Sequence, residues 1–425
     1  MAKYKAYPEY KDSGVEWLGP IPKSWTVCRL KNLATIKNGQ DYKSVQTEDG
    51  YPVMGSGGQF TFASKFMYDK PSVLLGRKGT IDKPLYINEP FWTVDTMYYT
   101  ELNEGFDAKY LHYLALTIQF SRYSTNTALP SMTQEHLSNY KFSVPKAESE
   151  RKKITEFLDL ETGKINNLIE KQQQLIELLK EKRQAVISHA VTKGLKPDAP
   201  MKDSGVEWLE ELPSHWQALP TKRLFRLVAE PAEINNDYEL LSVYTAIGVA
   251  PRKDLEPKGN KASTTDGYWK VRQGDIIVNK LLAWMGAVGF SNYDGVTSPA
   301  YDILRKVKDI NPKFYHYLFR LGLTQREFKR WSRGIMEMRL RLYFEELGRI
   351  IMPVPPRQEQ DVIVEEIEKI EHQYSQLENI ASHQIDLLQE RRIALISAAV
   401  TGKIDVRDWV APDTQDVEEP LEATA

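Results

Sequence analysis

Two long stretches of the chain place apolar residues at three- and four-residue intervals, the spacing of a single helical face. In residues 146–192 the stripe is Ile154, Leu158, Ile165, Leu168, Leu175, Leu179 and Val186, with polar breaks at Glu161, Gln172 and Lys182. In residues 357–400 it is Ile363, Ile367, Ile370, Tyr374, Leu377, Ala381, Leu388 and Leu395. The first stretch has no proline and almost no aromatics. Unbroken, it predicts a helix roughly 65–70 Å long at the usual rise per residue. A helix of that length with one apolar seam needs a partner helix, and the two stretches supply each other. Elsewhere the texture changes. Residues 1–145 carry short apolar runs, such as Ser72-Val73-Leu74-Leu75 and Pro84-Leu85-Tyr86-Ile87, among Gly, Pro, Tyr, Thr and Trp. That is strand-and-turn composition with a few helices, and a second β-rich stretch precedes the second helix.

The pattern repeats because the sequence does. KDSGVEW occurs at 11–17 and again at 202–208. Trp17, Leu18, Pro22 and Trp25 match Trp208, Leu209, Pro213 and Trp216 at the same offset. ELLKEKRQAVISHAVT at 177–192 aligns with DLLQERRIALISAAVT at 386–401. One unit of roughly two hundred residues is therefore used twice. The predicted class is α+β: two similar mixed α/β domains joined by two long helices in an antiparallel coiled coil, with an internal pseudo-two-fold repeat. The expected segments are a first globular domain at 1–145, a central helix and linker at 146–200, and a second globular domain at 201–355. A second helix at 356–405 and an acidic, disordered tail at 406–425 follow. Such a two-sided object suits a two-sided partner, and duplex DNA is the obvious one. The repeated tryptophans read as structural, since a residue common to both halves cannot encode two different targets.

Charge sharpens this. The net charge of −2 conceals a balance of −10 in residues 354–425, against +2, +2 and +4 in 1–145, 146–199 and 200–353. Residues 305–349 alone carry +7, an excess able to neutralise phosphates or simply to solvate a helix face. The single cysteine, Cys28, excludes an internal disulfide framework, fits a reducing cytosol, and reads as a small apolar strand residue. No apolar run reaches the roughly 18 residues of a membrane span, and the N-terminus has no apolar signal core, so a cytoplasmic protein is expected.

Catalytic motifs are missing from the sequence. There is no GxxxxGK[ST]; Gly76-Arg77-Lys78-Gly79-Thr80 is too short for a phosphate loop. No [DNS]PP[YFW] tetrapeptide, HExxH or CxxC occurs, so no metal is expected and the chain reads as non-catalytic. A DNA-reading scaffold is the leading reading. A fused methyltransferase or nuclease lacks its motifs, and a coiled-coil adaptor binding only proteins finds support in the near-neutral charge. Equivalent stretches of the repeats nominate DNA-binding residues. The basic turn of LLGRKGT (74–80) and its counterpart at 277–280 offer Arg77, Lys78 and Lys280. RYSTNTALPSMTQ (122–134) and RWSRGIMEMRLRLY (330–343) offer Arg122, Asn126, Arg330, Arg333, Arg339 and Arg341.

The strings at 153–195, KITEFLDLETGKINNLIEKQQQLIELLKEKRQAVISHAVTKGL, and at 202–216, KDSGVEWLEELPSHW, closely resemble the conserved regions of specificity subunits of type I restriction–modification systems. VPPRQEQDVI at 354–363 resembles the start of that family's second conserved helix, whereas AESERK at 147–152 lacks the PxxEQ form seen at 356–360. The resemblance covers the layout of the whole chain. It implies two target recognition domains, each reading one half of a split site in double-stranded DNA, and a helix pair that fixes their spacing. Two modification subunits, which bind S-adenosylmethionine, and two restriction subunits, which use ATP and Mg, are implied as partners; the chain itself is expected to bind no cofactor. Two readers on a rigid rod meet the same duplex face when their targets lie about one turn, roughly 10 bp, apart. Because the β-rich stretches differ, the site is expected to be asymmetric.

Overall fold

The computed structural model describes residues 4–123, 130–254, 265–336 and 339–411. The chain forms two compact units, residues 1–173 with 382–425 and residues 174–381. Each holds one globular part and a portion of both long helices, which span Glu148–Lys193 and Arg357–Val400.

Both units open the same way. An antiparallel hairpin pairs Tyr10–Asp12 with Pro20–Pro22 in the first, and Met201–Asp203 with Glu211–Pro213 in the second. The repeated Asp-Ser-Gly of KDSGVEW makes the turn between them. The Asp12 carboxylate accepts from Gly14 N at 3.0 Å, and Asp203 accepts from Gly205 N at 2.8 Å. Both glycines sit at positive φ, which Asx turns tolerate best without a Cβ.

A four-stranded antiparallel sheet follows, with one topology in both units. Its order is Ala34–Asn38, Met97–Leu102, Ser72–Gly76, Leu85–Ile87 in the first unit. In the second it is Phe225–Val228, Tyr301–Lys306, Ile276–Asn279, Val288–Phe290. A short amphipathic helix lies against each sheet, Ala108–Ala115 and Pro312–Phe319. Asp107 and Asn311 cap them by accepting from the N–H groups of Lys109 and Lys313. Beyond this frame the repeats diverge. The first unit adds a second four-stranded sheet built on Tyr51–Gly55 and Gly58–Ala63. The second has two separate strand pairs and a helix at Gly322–Trp331.

Each long helix is stitched to its globular part at an equivalent residue. Arg151 donates to the carbonyls of Pro145 (2.9 Å), Lys146 (3.0 Å) and Gly105 (2.7 Å). Gln360 stands in its place in the second repeat. It donates to Pro355 O and accepts from Asn311 N, both at 2.8 Å. In the first unit Ile154, Phe157, Leu158 and Ile165 share a core with Leu395, Ile396, Ala399 and Val400. In the second, Ile187, Ala190 and Val191 share a core with Ile363, Val364 and Ile367. Within each unit, therefore, the start of one helix lies with the end of the other, which is an antiparallel arrangement.

The seam differs from the sequence reading at mid-helix. Leu168, Leu175 and Leu377 are 48%, 44% and 48% exposed and face away from it. The inward positions are Ile169, Gln172, Ile176, Leu179 and Arg183 on the first helix and Glu378, Ala381, Ile385 and Leu388 on the second. Strict three–four alternation continues through polar residues, and the leucines lie one position beside it. Ile370 is half-buried as well.

The C-terminal segment also departs from expectation. Residues 406–409 are folded, not a disordered tail. Val406 is buried, and Trp409 meets the Phe157 ring edge-on at 5.5 Å. Asp405 N donates to Lys5 O at 2.8 Å, and Tyr10 Oη donates to Gly402 O at 3.0 Å, so the two chain ends close one core. Residues 412–425 lie outside the described ones. Among the described residues no helix is long and apolar enough to cross a membrane.

Candidate nucleic-acid interface

The strand Ser72–Gly76 runs out into the Arg77-Lys78-Gly79 turn. Only glycine fits at 76, where a Cβ would stand 2.5 Å from Thr80 O. Arg77 N and Lys78 N donate to Thr96 O at 2.9 and 3.2 Å. Gly79 N donates to Pro130 O at 2.9 Å, and Met132 N donates to Arg77 O at 3.0 Å. The two nominated stretches of the first repeat are thus brought together by backbone bonds. Lys78 is exposed. The Arg77 guanidinium is half-buried, 5.9 Å from the Tyr98 ring centre, and donates to Asp95 O at 3.3 Å. Asn126 lies outside the described residues.

The second repeat makes the equivalent junction. Leu342 N donates to Lys280 O at 2.9 Å, just past the strand Ile276–Asn279. Lys280 has partners within the chain. Its side chain is only 21% exposed, and the ammonium lies 3.3 Å from the Asp302 carboxylate and donates to Pro299 O at 3.0 Å. Burial pushes the Asp302 carboxyl up and the neighbouring Lys280 opposes that, so Lys280 serves to neutralise a buried acid.

Arg122 and Arg330 also have structural partners. Arg122 lies over the Trp17 ring, 5.5 Å from its centre, and 3.7 Å from the Glu16 carboxylate. Arg330 lies 3.4 Å from Glu207 and 3.5 Å from Glu327. Glu16 and Glu207 are the same residue of the repeated KDSGVEW motif. A contact made alike in both repeats cannot distinguish two targets.

The remaining arginines lie at or next to an antiparallel bridge between Arg333 and Arg341. Arg333 and Arg341 exchange backbone hydrogen bonds at 2.9 Å each. The Arg333 guanidinium pairs with the buried carboxylate of Glu346. Arg339 and Arg341 are exposed. Gly334 has φ +148°, and a Cβ there would meet Arg339 O at 2.6 Å, so the bend is restricted to glycine.

One supporting residue has no signal in the sequence. Arg320 donates to the carbonyls of Tyr244, Thr245, Ala246, Gly286 and Val288, at 2.8 to 3.4 Å, and so ties two loops together. Beside it, burial pushes the His316 imidazole down to about 3; neutral, its Nδ1 accepts from Phe290 N at 3.1 Å. Cys28 lies in the strand Trp25–Arg29, where burial pushes its thiol up to about 11. That is the opposite of nucleophile activation.

Comparison with known proteins agrees with this layout. The family model described as the type I restriction modification DNA specificity domain matches residues 22–178. The chain is 23% identical to the type I restriction enzyme EcoBI specificity subunit of Escherichia coli over 438 residues, covering 95% of this chain and 91% of that one. It is 21% identical to the EcoDI specificity subunit of the same organism over 422 residues, covering 92% and 91%. Among solved structures, a chain from a study of complex assembly and conformational transition of the type I R-M system superposes with a TM-score of 0.60. The identity there is 15%, and the match covers 90% of this chain and 99% of that chain. The HsdS subunit from Thermoanaerobacter tengcongensis gives a TM-score of 0.51 at 13% identity, covering 90% and 98%. The repeated frame, the paired long helices and these end-to-end matches together make the chain similar to type I restriction–modification specificity subunits.

Proposed function

We propose that this chain reads a split, asymmetric site in double-stranded DNA, one half with each globular part, and catalyses no step itself. One observation carries the reading. The same backbone bond, Met132 N to Arg77 O and Leu342 N to Lys280 O, joins the same two elements at the end of the same sheet in both units. The side chains displayed there differ: Arg77 and Lys78 in one unit, Arg339 and Arg341 in the other. A common frame with different cations is what two readers of different sequences require. Phosphate contacts set the register and base-edge contacts set the sequence.

The chain acts with two modification subunits and two restriction subunits. Those partners supply S-adenosylmethionine-dependent methyl transfer and cleavage with ATP and Mg, in the cytoplasm where the chromosome lies. This chain supplies the address.

A gel shift tests the reading. The chain assembled with its modification subunit is expected to retain one duplex out of a random pool, with affinity that falls as salt rises. Lys78→Ala is expected to lower the salt slope by about one if that lysine meets a phosphate. Retention without sequence preference, or no retention, contradicts the proposal.

A further inference from the structure

The turn that follows the strand Ile276–Asn279 is apolar where its counterpart is basic. The carbonyls of Arg77 and Lys280 accept equivalent bonds, so Leu281 stands where the first unit has Lys78. Leu281, Leu282 and Met285 are 37%, 39% and 48% exposed. Soluble proteins scatter single apolar residues over their surfaces, but seldom raise three within one short turn. This turn is firmly held. Leu281 N donates to Asn279 Oδ1, and Met285 N and Ala287 N donate to Leu282 O, each at 3.0 Å. Trp284 Nε1 donates to Leu281 O at 3.0 Å, and Arg320 donates to Gly286 O at 3.1 Å. Cations border it. The Lys329 ammonium lies 5.0 Å from the centre of the Trp284 ring. Arg341 is exposed and precedes Leu342, whose N–H donates to Lys280 O. A well-bonded turn therefore presents apolar side chains with two cations at its margin.

That combination selects the partner. Cations beside exposed apolar side chains fit a polyanion that shows apolar groups between its charges. A duplex does so: phosphates flank a major groove in which each thymine presents its C5 methyl. That methyl is the sequence-bearing group an apolar side chain can read there. We propose that Leu281 and Met285 read a thymine methyl in the half-site of the second unit, while Lys329 and Arg341 meet the flanking phosphates. The contact rests on the DNA-reading function proposed above and names a chemical group that it recognises. It also makes the two readers differ in kind at one equivalent place, since Lys78 of the first unit suits a phosphate or a base acceptor and not a methyl.

The test uses the complete complex of this chain with its modification subunits, and duplexes carrying the site that it methylates. Deoxyuridine replaces each thymidine of both half-sites in turn, on either strand. It keeps every hydrogen-bonding group of the base and lacks only the methyl. Affinity for each duplex is divided by affinity for the unsubstituted one, within the same protein, so that a general loss of binding or stability cancels. The expected result is a roughly fourfold loss at one thymine or more, the worth of one buried methyl. At one such position the loss vanishes in Leu281→Ala or Met285→Ala and persists in Leu281→Met and Met285→Leu, which keep an apolar contact. No loss at any thymine, or losses that all persist in both alanine variants, overturns the methyl contact. Release of a modification subunit by either alanine variant also overturns it, in favour of a protein contact. A wild-type complex that binds no duplex refutes the DNA-reading function itself, and is told apart by the gel shift alone.

Discussion

The Arg183 guanidinium stands 3.2 Å from the Glu378 carboxylate, at inward-facing positions of the two long helices in the second unit. Each side chain is mostly buried, at 30% and 20% exposure. Removing one partner strands the other, so Arg183→Leu or Glu378→Leu alone is expected to cost about 1–3 kcal/mol. Replacing both together is expected to be close to neutral, because two leucines restore an apolar seam. A double-mutant cycle by urea denaturation measures the difference. Additive losses would show that the pair does not interact.

Gly194 and Gly402 end the two long helices at φ +80° and +76°. At Gly402 a Cβ would stand 2.4 Å from Pro22 and 3.3 Å from Trp25; at Gly194 it would stand 3.3 Å from Trp216. Both alanine variants meet the left-handed penalty of roughly 1 kcal/mol. Gly402→Ala adds a clash with a proline ring and is expected to destabilise more than Gly194→Ala. Thermal melts of the two variants settle the order; equal melting temperatures contradict it.

Because Asp405 and Gly402 bond to Lys5 and Tyr10, a circular permutant is expected to fold. It would join residue 411 to residue 4 and open within the 196–199 linker. Residues 4–8 must be kept, since Tyr4 donates to Glu161 at 3.1 Å and Tyr7 to Glu150 at 2.7 Å. Site-specific methylation by the reconstituted permutant complex is the readout, and a soluble permutant that fails to bind its modification subunit counts against it.

The raised Cys28 thiol predicts slow alkylation of the native chain. Its shift from 9.0 to about 11 lowers the thiolate fraction at neutral pH about a hundredfold, and the rate climbs tenfold per pH unit until the pH nears that value. Mass spectrometry after iodoacetamide, native against urea-unfolded, checks this. Equal rates in both states would refute it.

The arginines around the Arg333–Arg341 bridge predict modular loss of specificity. Arg339→Ala with Arg341→Ala is expected to relax only the half-site read by the second unit, by tenfold or more where either contacts a base edge, worth about 1–3 kcal/mol. Arg333→Ala is expected to act mainly on stability, because it leaves the buried Glu346 unpaired. Methylation profiling on randomised half-sites separates the two; relaxation of both half-sites together would argue against separate readers.

The long helices were legible because period and repeat agree over more than forty residues, as the spans Glu148–Lys193 and Arg357–Val400 show. The seam register was less so: where Gln172, Arg183 and Glu378 face inward, neighbouring leucines look more like core than the true positions do. The junctions at Arg77 and Lys280 could be nominated by aligning the repeats. Their side-chain fates could not, since Asp302, Glu16 and Glu207 are distant in sequence from Lys280, Arg122 and Arg330. Arg320 was invisible for the same reason, with Leu116 at its place in the first repeat. Acidic composition after residue 405 likewise hid Val406 and Trp409, which are anchored by tertiary packing.

The most direct measurement is methylation of a random duplex library by the modification subunits with and without this chain, read by sequencing. With the chain, the expected product is one asymmetric motif in two parts, separated by a spacer of fixed length and free sequence. A continuous motif, a palindrome, or the same pattern without the chain would contradict the account.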